Sequence, residues 1–524
     1  MFLNFIKKRK IKEYFIFLYC RLGKKTSLVV LASFLINIII LMFLIGGVFI
    51  NTGLPPSELS ATQQQTDLKN NNTGLQANIV AENANSSAPF CISDYTSLYT
   101  PDTPKTDLNQ ANQELSQSIE NSSDSDVNIR NELAQLTKDA EYPKNSLPLV
   151  IFNNLPDDLI YFTQNGKTPA IKDLIYQYTL KAKIAEEIKD PILQITSTIK
   201  IANLKILQGA PDAAIETLKK AELLLPENAK DTCELYKKQF YAQKDFVQRK
   251  QIVQLEDKIQ LESLRKTCLL TASYYQGMGN YFMAVSNPVE SASNYQTAIT
   301  LLDSIVNEPA LAQIVKIQLS SLQGIQGSPE SSYNNFYSAI PVFKGKQYQM
   351  YLAMTQLNLA NMQVQNGNIG NIEIQWGKFL DVKVDPNKNN FIGALYSYGV
   401  AEYLRLSKRP TMAIEKYQKA LKVFSELGYA LGIAFAKVGI AQSYISIGDP
   451  QKNASNLLQD AQDLFKSSKN TFGEAIVLFA RAQLSKIQNQ KEKENNYYTN
   501  AIAILKNNNF DSIANKIEMY QKNN

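Results

Sequence analysis

The chain of 524 residues contains no histidine. That absence excludes imidazole acid–base catalysis, Ser-His or Cys-His nucleophile activation, and every imidazole metal site. One tryptophan and 22 glycines argue against a glycine-rich nucleotide-binding protein. Charged residues make up 19% and hydrophobic residues 44%, which fits neither a fully disordered chain nor a many-span membrane protein. No phosphate loop, metal cluster or nucleophile motif occurs. Neighbouring carboxylates such as Glu186 and Glu187 point apart on a helix and read as solvated surface. An enzyme is not expected; no cofactor or metal is implied, and no small-molecule substrate is evident.

The net charge of +6 is unevenly spread. Residues 1–26 carry Lys7, Lys8, Arg9, Lys10, Lys12, Arg21, Lys24 and Lys25 against Glu13 alone. Residues 51–148 hold 5 basic and 13 acidic residues, and 149–524 hold 41 and 34. A nucleic-acid binder concentrates its basic charge in a stripe on the folded part. Here the concentrated block precedes the folded part, so no nucleic-acid partner is expected.

Between Ser27 and Ile50 lie 24 residues without a charge. As a helix they span ~36 Å, enough to cross a hydrocarbon core of ~30 Å. A cleaved signal peptide has a shorter apolar core and a small-residue cleavage site, and neither is present. The basic flank predicts a cytoplasmic N-terminus and an extracytoplasmic remainder, which makes this a single-pass signal anchor in the cell membrane. Residues 51–148, rich in Asn, Gln, Ser, Thr and Asp, have too little apolar surface to offset ordering entropy and read as a disordered linker. Three Asn-x-Ser/Thr sequons there, at Asn71, Asn85 and Asn121, carry little weight in so Asn-rich a tract.

From 149 to 524 the apolar spacing is helical, and the expected fold class is all-α. The clearest unit is Ala202, Gly209, Ala214, Leu218, Ala221 and Pro226. Small residues let two helices touch, Gly209 permits the turn between them, and Pro226 stops the second helix. The device recurs. Small first-helix residues fall at Ser320, Ala360, Ala401, Ala441 and Ala482, spaced by 40 or 41. Second-helix positions fall at Ala298, Ala339, Phe379, Ala420, Ala461 and Ala501 with the same spacing. Three residues before these stand Tyr295, Phe336, Trp376, Tyr417, Leu458 and Tyr498, and turns read Asn366-Gly367-Asn368 and Gly448-Asp449-Pro450.

These residues resemble the tetratricopeptide repeat, in the long-period variety seen in kinesin light chains and related scaffolds. Phe379 in place of a small residue and Lys408 in place of glycine depart from it, and 229–290 shows no clean unit. The resemblance implies a superhelix of helical hairpins whose concave face binds protein or peptide segments. It places Asn358, Asn361, Tyr396, Glu402 and Gln442 near that groove, with a plain solvent-exposed role as the alternative for Asn358 and Asn361 and a core role for Tyr396.

Four cysteines remain. Cys20 lies beside the membrane, either acylated or a plain thiol. Cys91, Cys233 and Cys268 lie beyond it, an odd number. Cys233 and Cys268 either pair across antiparallel helices or are buried free thiols. The functional expectation is a membrane-anchored scaffold or adaptor that binds proteins while an envelope complex assembles. The alternative is a holdase for exported or nascent polypeptides.

Overall fold

The computed structural model describes residues 169–248, 255–345, 348–365, 376–379, 390–448 and 453–523, all of one compact unit. The basic segment 1–26, the apolar run 27–50 and the linker 51–148, with Cys20, Cys91 and the sequons, lie outside the described residues, as do Asn366-Gly367-Asn368 and Asp449-Pro450. No described helix is long and apolar enough to cross a membrane.

Among the described residues the protein is all-α. Helix α1 (Ile171–Glu187) precedes the pair α2 (Pro191–Leu207) and α3 (Pro211–Leu224). Next come α4 (Ala229–Gln248), the long α5 (Leu255–Ala284), and α6 (Pro288–Ile299), which runs on into a π-helical turn over Thr300–Ile305. Then follow α7 (Pro309–Gln326), α8 (Pro329–Val342), α9 (Gln349–Gln365) and a short helical turn at 376–379. The series ends with α10 (Phe391–Leu406), α11 (Pro410–Leu427), α12 (Ala430–Ser446), α13 (Asn453–Ser467), α14 (Thr471–Ile487), α15 (Lys491–Asn507) and α16 (Asp511–Asn523).

Each helix packs mainly on its sequence neighbours, the pattern of a repeat array. Six of the described helices start at proline, whose missing N–H costs nothing in the first turn. Ala202, Ala214, Ala221, Ala360, Ala401, Ala420, Ala441, Ala461, Ala482 and Ala501 have zero exposure. Each therefore sits where a larger side chain would force two helices apart. Pro226 follows the end of α3 and is exposed.

Each described turn inside a pair holds one left-handed residue. Gly209, Gly327 and Gly448 fill it with φ of 78°, 97° and 77°, whereas Ser286, Lys408 and Asn489 adopt it at 61°, 60° and 56°. Lys408 thus keeps the turn geometry of the glycine it replaces. Phe379 is fully buried and stacks on Tyr396 with centroids 5.3 Å apart. Residues 229–290 are not a break in the array. Helix α5 has 30 residues against 17 in α2, and its C-terminal half supplies the missing unit, with Gly279 at the small position facing the ring of Tyr295.

The array also curls back on itself. The Asn470 Nδ2 donates to the Ala284 carbonyl at 2.7 Å, and the Phe472 N–H donates to Ser286 Oγ at 3.0 Å, each across 186 residues. Lys469 Nζ lies 2.5 Å from Asp212 Oδ1. Gly209 faces Ser468 and Ala430, and Gly327 faces Ser512, so closely that a Cβ at either glycine would fall within 2.8 Å of them. Turns inside the early pairs therefore abut turns between the late pairs, forming a seam.

Candidate functional site

The small residue of each first helix is followed by a polar one: Asn203, Asn280, Ser321, Asn361, Glu402, Gln442 and Gln483. A register of 40–41 residues from Asn280 onward, preceded by one interval of 77 from Asn203, stacks these side chains on successive inner helices. At both ends of the row they bond to one another. The Asn280 Nδ2 donates to Asn203 Oδ1 at 3.1 Å and takes the Tyr295 hydroxyl proton on Oδ1 at 2.8 Å. Gln442 Nε2 donates to Gln483 Oε1 at 2.9 Å, and Gln483 Nε2 to the Tyr520 hydroxyl oxygen at 3.2 Å.

The middle of the row is different. Glu402 is buried and accepts from Arg405 Nη2 at 2.8 Å and from the Tyr417 hydroxyl. Burial works against the Arg405 charge, yet Glu402 and Tyr417 more than offset it and raise the guanidinium above its ordinary pKa. Burial pushes the Tyr417 and Tyr398 hydroxyls far up, and Glu402 pushes them the same way. Both phenols stay protonated, so Tyr417 is held as a donor to Glu402. Asn361, Val364, Tyr398, Gly399 and Glu402 line a gap here that is too narrow to hold a water molecule.

Helix α9 concentrates unmet polarity beside this space. Asn358 Oδ1, Asn361 Oδ1, Gln363 Oε1 and both amide atoms of Gln356 are buried and find no hydrogen-bond partner among the described residues. Gln442 Oε1 on α12 is in the same condition. Each such atom costs about 1–3 kcal/mol relative to its hydrated state.

The five residues expected along an open groove, Asn358, Asn361, Tyr396, Glu402 and Gln442, are all at most 9% exposed. The solvent-exposed reading of Asn358 and Asn361 is therefore corrected. Tyr396 packs on Phe379 and Trp376, which is the core role. The reason lies in the curl. A return after 186 residues amounts to ~4.5 pairs of ~41 residues per turn. With inner helices ~10 Å apart, the ring has a radius of ~7–8 Å, and helices of ~5 Å radius leave a bore of only ~2–3 Å. Inner side chains fill it. Sequence reasoning missed Asn203, Asn280 and Gln483, although the small-then-polar dipeptide was there to be read.

Cys233 and Cys268 are bonded to each other, with Cα atoms 5.3 Å apart, and both are fully buried. They tie α4 to α5 near the half-buried pairing of Arg265 with Glu308. Burial raises the Glu308 pKa and the Arg265 charge opposes that rise. Among the described residues no cluster of acidic or cysteine side chains is arranged to hold a metal. Compared with known proteins, the chain matches no family model and no curated protein sequence.

Proposed function

We propose that this is a membrane-anchored binding protein: a tetratricopeptide-like superhelix held on the extracytoplasmic side by the 27–50 anchor and the 51–148 linker. It serves as a scaffold or adaptor for protein segments during assembly of an envelope complex. The observation that carries the binding role is the set of orphaned amide atoms on α9, which a polypeptide partner would satisfy. The Cys233–Cys268 disulfide supports the extracytoplasmic side, because such bonds persist in oxidising compartments.

A second reading, a holdase for exported or nascent chains, is favoured by the neutrality of those amides. They suit a backbone of any sequence rather than a particular set of side chains. Crosslinking with mass spectrometry on native membranes separates the two. A few stoichiometric partners support the scaffold, and many unfolded clients support the holdase. Recovery of no crosslinked polypeptide sinks both. Compartment is tested by thiol alkylation of the intact chain from native membranes. Cys233 and Cys268 should resist labelling in denaturant until reductant is added, and labelling without reductant would count against an oxidising location.

A further inference from the structure

Helix α4 is an addition to the array rather than a part of it. Asn203 and Asn280 are 77 residues apart where later units need 40 or 41, and the excess falls in α4 and the start of α5. The units on either side join without it. The second half of α5 packs on α2 and α3, Asn280 bonds Asn203, and Gly277 faces Leu218 and Ile199. Helix α4 packs chiefly on α5 and on the π-helical turn Thr300–Ile305. Its hold there is slight. Of the 14 residues from 229 to 242 only Cys233 and Tyr236 are buried, whereas Leu235 and Tyr241 are exposed. Helix α3, also 14 residues long, buries five. What else holds α4 is the Lys230 ammonium, 5.0 Å over the Tyr275 ring, and the Cys233–Cys268 bond.

We infer that α4 is a redox-released cover: it stays docked while Cys233 and Cys268 are bonded, and reduction frees it to expose the π-helical turn and the surface of α5 around Cys268 and Tyr275. The reducing step breaks one S–S bond and forms two thiols. A dithiol donor supplies the two electrons and two protons and leaves as its own disulfide. Both sulfurs are fully buried, so exchange requires α4 to lift from α5 first. A helix with so few buried side chains opens at lower cost than the global fold. The bond closes a loop between residues 35 apart and limits how far the two helices can part. Without it, little more than Cys233, Tyr236 and the Lys230 contact opposes their separation. Release stays local, because the units on either side of α4 keep their own contacts.

The inference goes beyond the binding role proposed above and does not depend on it. The test uses the full chain in detergent, oxidised, with Cys20→Ser and Cys91→Ser so that only the α4–α5 pair reacts. The protein is compared before and after treatment with a dithiol, and alkylation read by mass spectrometry counts the thiols released. Amide exchange should quicken by about tenfold or more in α4 and the π-helical turn, and stay unchanged from α10 to α16. Cys233→Ala with Cys268→Ala should give the same pattern without reductant. The reduced chain makes the measurement independently, so the result does not hang on that variant folding. Three results overturn the cover. The first is a bond that the folded protein never yields to the dithiol. The second is α4 exchange that stays unchanged once both thiols are alkylated. The third is an array that loosens throughout, which would make the disulfide a staple of the whole fold.

Discussion

Asn470 and Ala284 are joined across 186 residues by a 2.7 Å hydrogen bond, while the other amide atom of Asn470 caps its own helix at the Gly473 N–H. One side chain thus starts α14 and holds it to the end of α5. Asn470→Ala removes both bonds and should cost about 1–3 kcal/mol in a thermal or denaturant melt. Asn470→Asp keeps the cap oxygen and loses the donor to Ala284. It should therefore fall between the two, and a variant as stable as wild type would show the cross-turn bond to be idle.

Close helix contact sets stability in the array. Ala441→Leu inserts three carbons at a site with zero exposure and should cost about 1–3 kcal/mol. The control is Ala503 on α15, which is exposed and should accept leucine with little change. Ala501→Leu, buried but near the end of the array, should cost less than Ala441→Leu, because a terminal unit has fewer neighbours to disturb. Circular dichroism melts of the three variants decide it, and identical melting of all three would refute the assigned register.

The Glu402–Arg405 pair is costly to break from one side. Arg405→Met takes the compensating charge away from the buried Glu402 carboxylate and should destabilise by about 3–5 kcal/mol. Adding Glu402→Gln removes the stranded charge, so the double variant should recover much of that loss. If the two single losses simply add, the residues do not act as a pair.

Lys516 on α16 is largely buried, and burial lowers its pKa. A lysine with a depressed folded pKa makes the folded state less stable while the ammonium is charged in it, that is, below the folded value. Lys516→Met, which keeps the stem and drops the charge, should therefore stabilise by about 0.5–1 kcal/mol at neutral pH. The gain should shrink as pH rises through the folded pKa and vanish above the ordinary lysine value of ~10.4. Melts across that range read the effect, and a pH-independent gain would point to packing instead of charge.

The helical pairs are legible in the sequence because their determinant is local. Where two helices touch, only a small side chain fits, so Ala360, Ala401, Ala441 and Ala482 mark the contacts directly. The left-handed turn is less legible, since Lys408 and Asn489 adopt it without being glycine. Residues 229–290 hid their unit because α5 begins well before its packed half. Least legible is the closure. No residue encodes the curl, which accumulates from a small rotation per pair until Ser286 meets Phe472. Exposure of Asn358 and Asn361 depends on that sum, and so a reading of their own neighbourhood could not give it.

The seam also limits how such a chain could vary by duplication. An open array gains or loses a unit cheaply, because each unit touches only its neighbours. Here Asn470 must arrive opposite Ala284, and Ser512 opposite Gly327. Removing one pair between them would bring Phe510, one repeat further on, to the place of Asn470, and the contacts between turns would be lost together. The number of repeats is therefore a specified quantity in this protein, held by pairings that lie far apart in the chain.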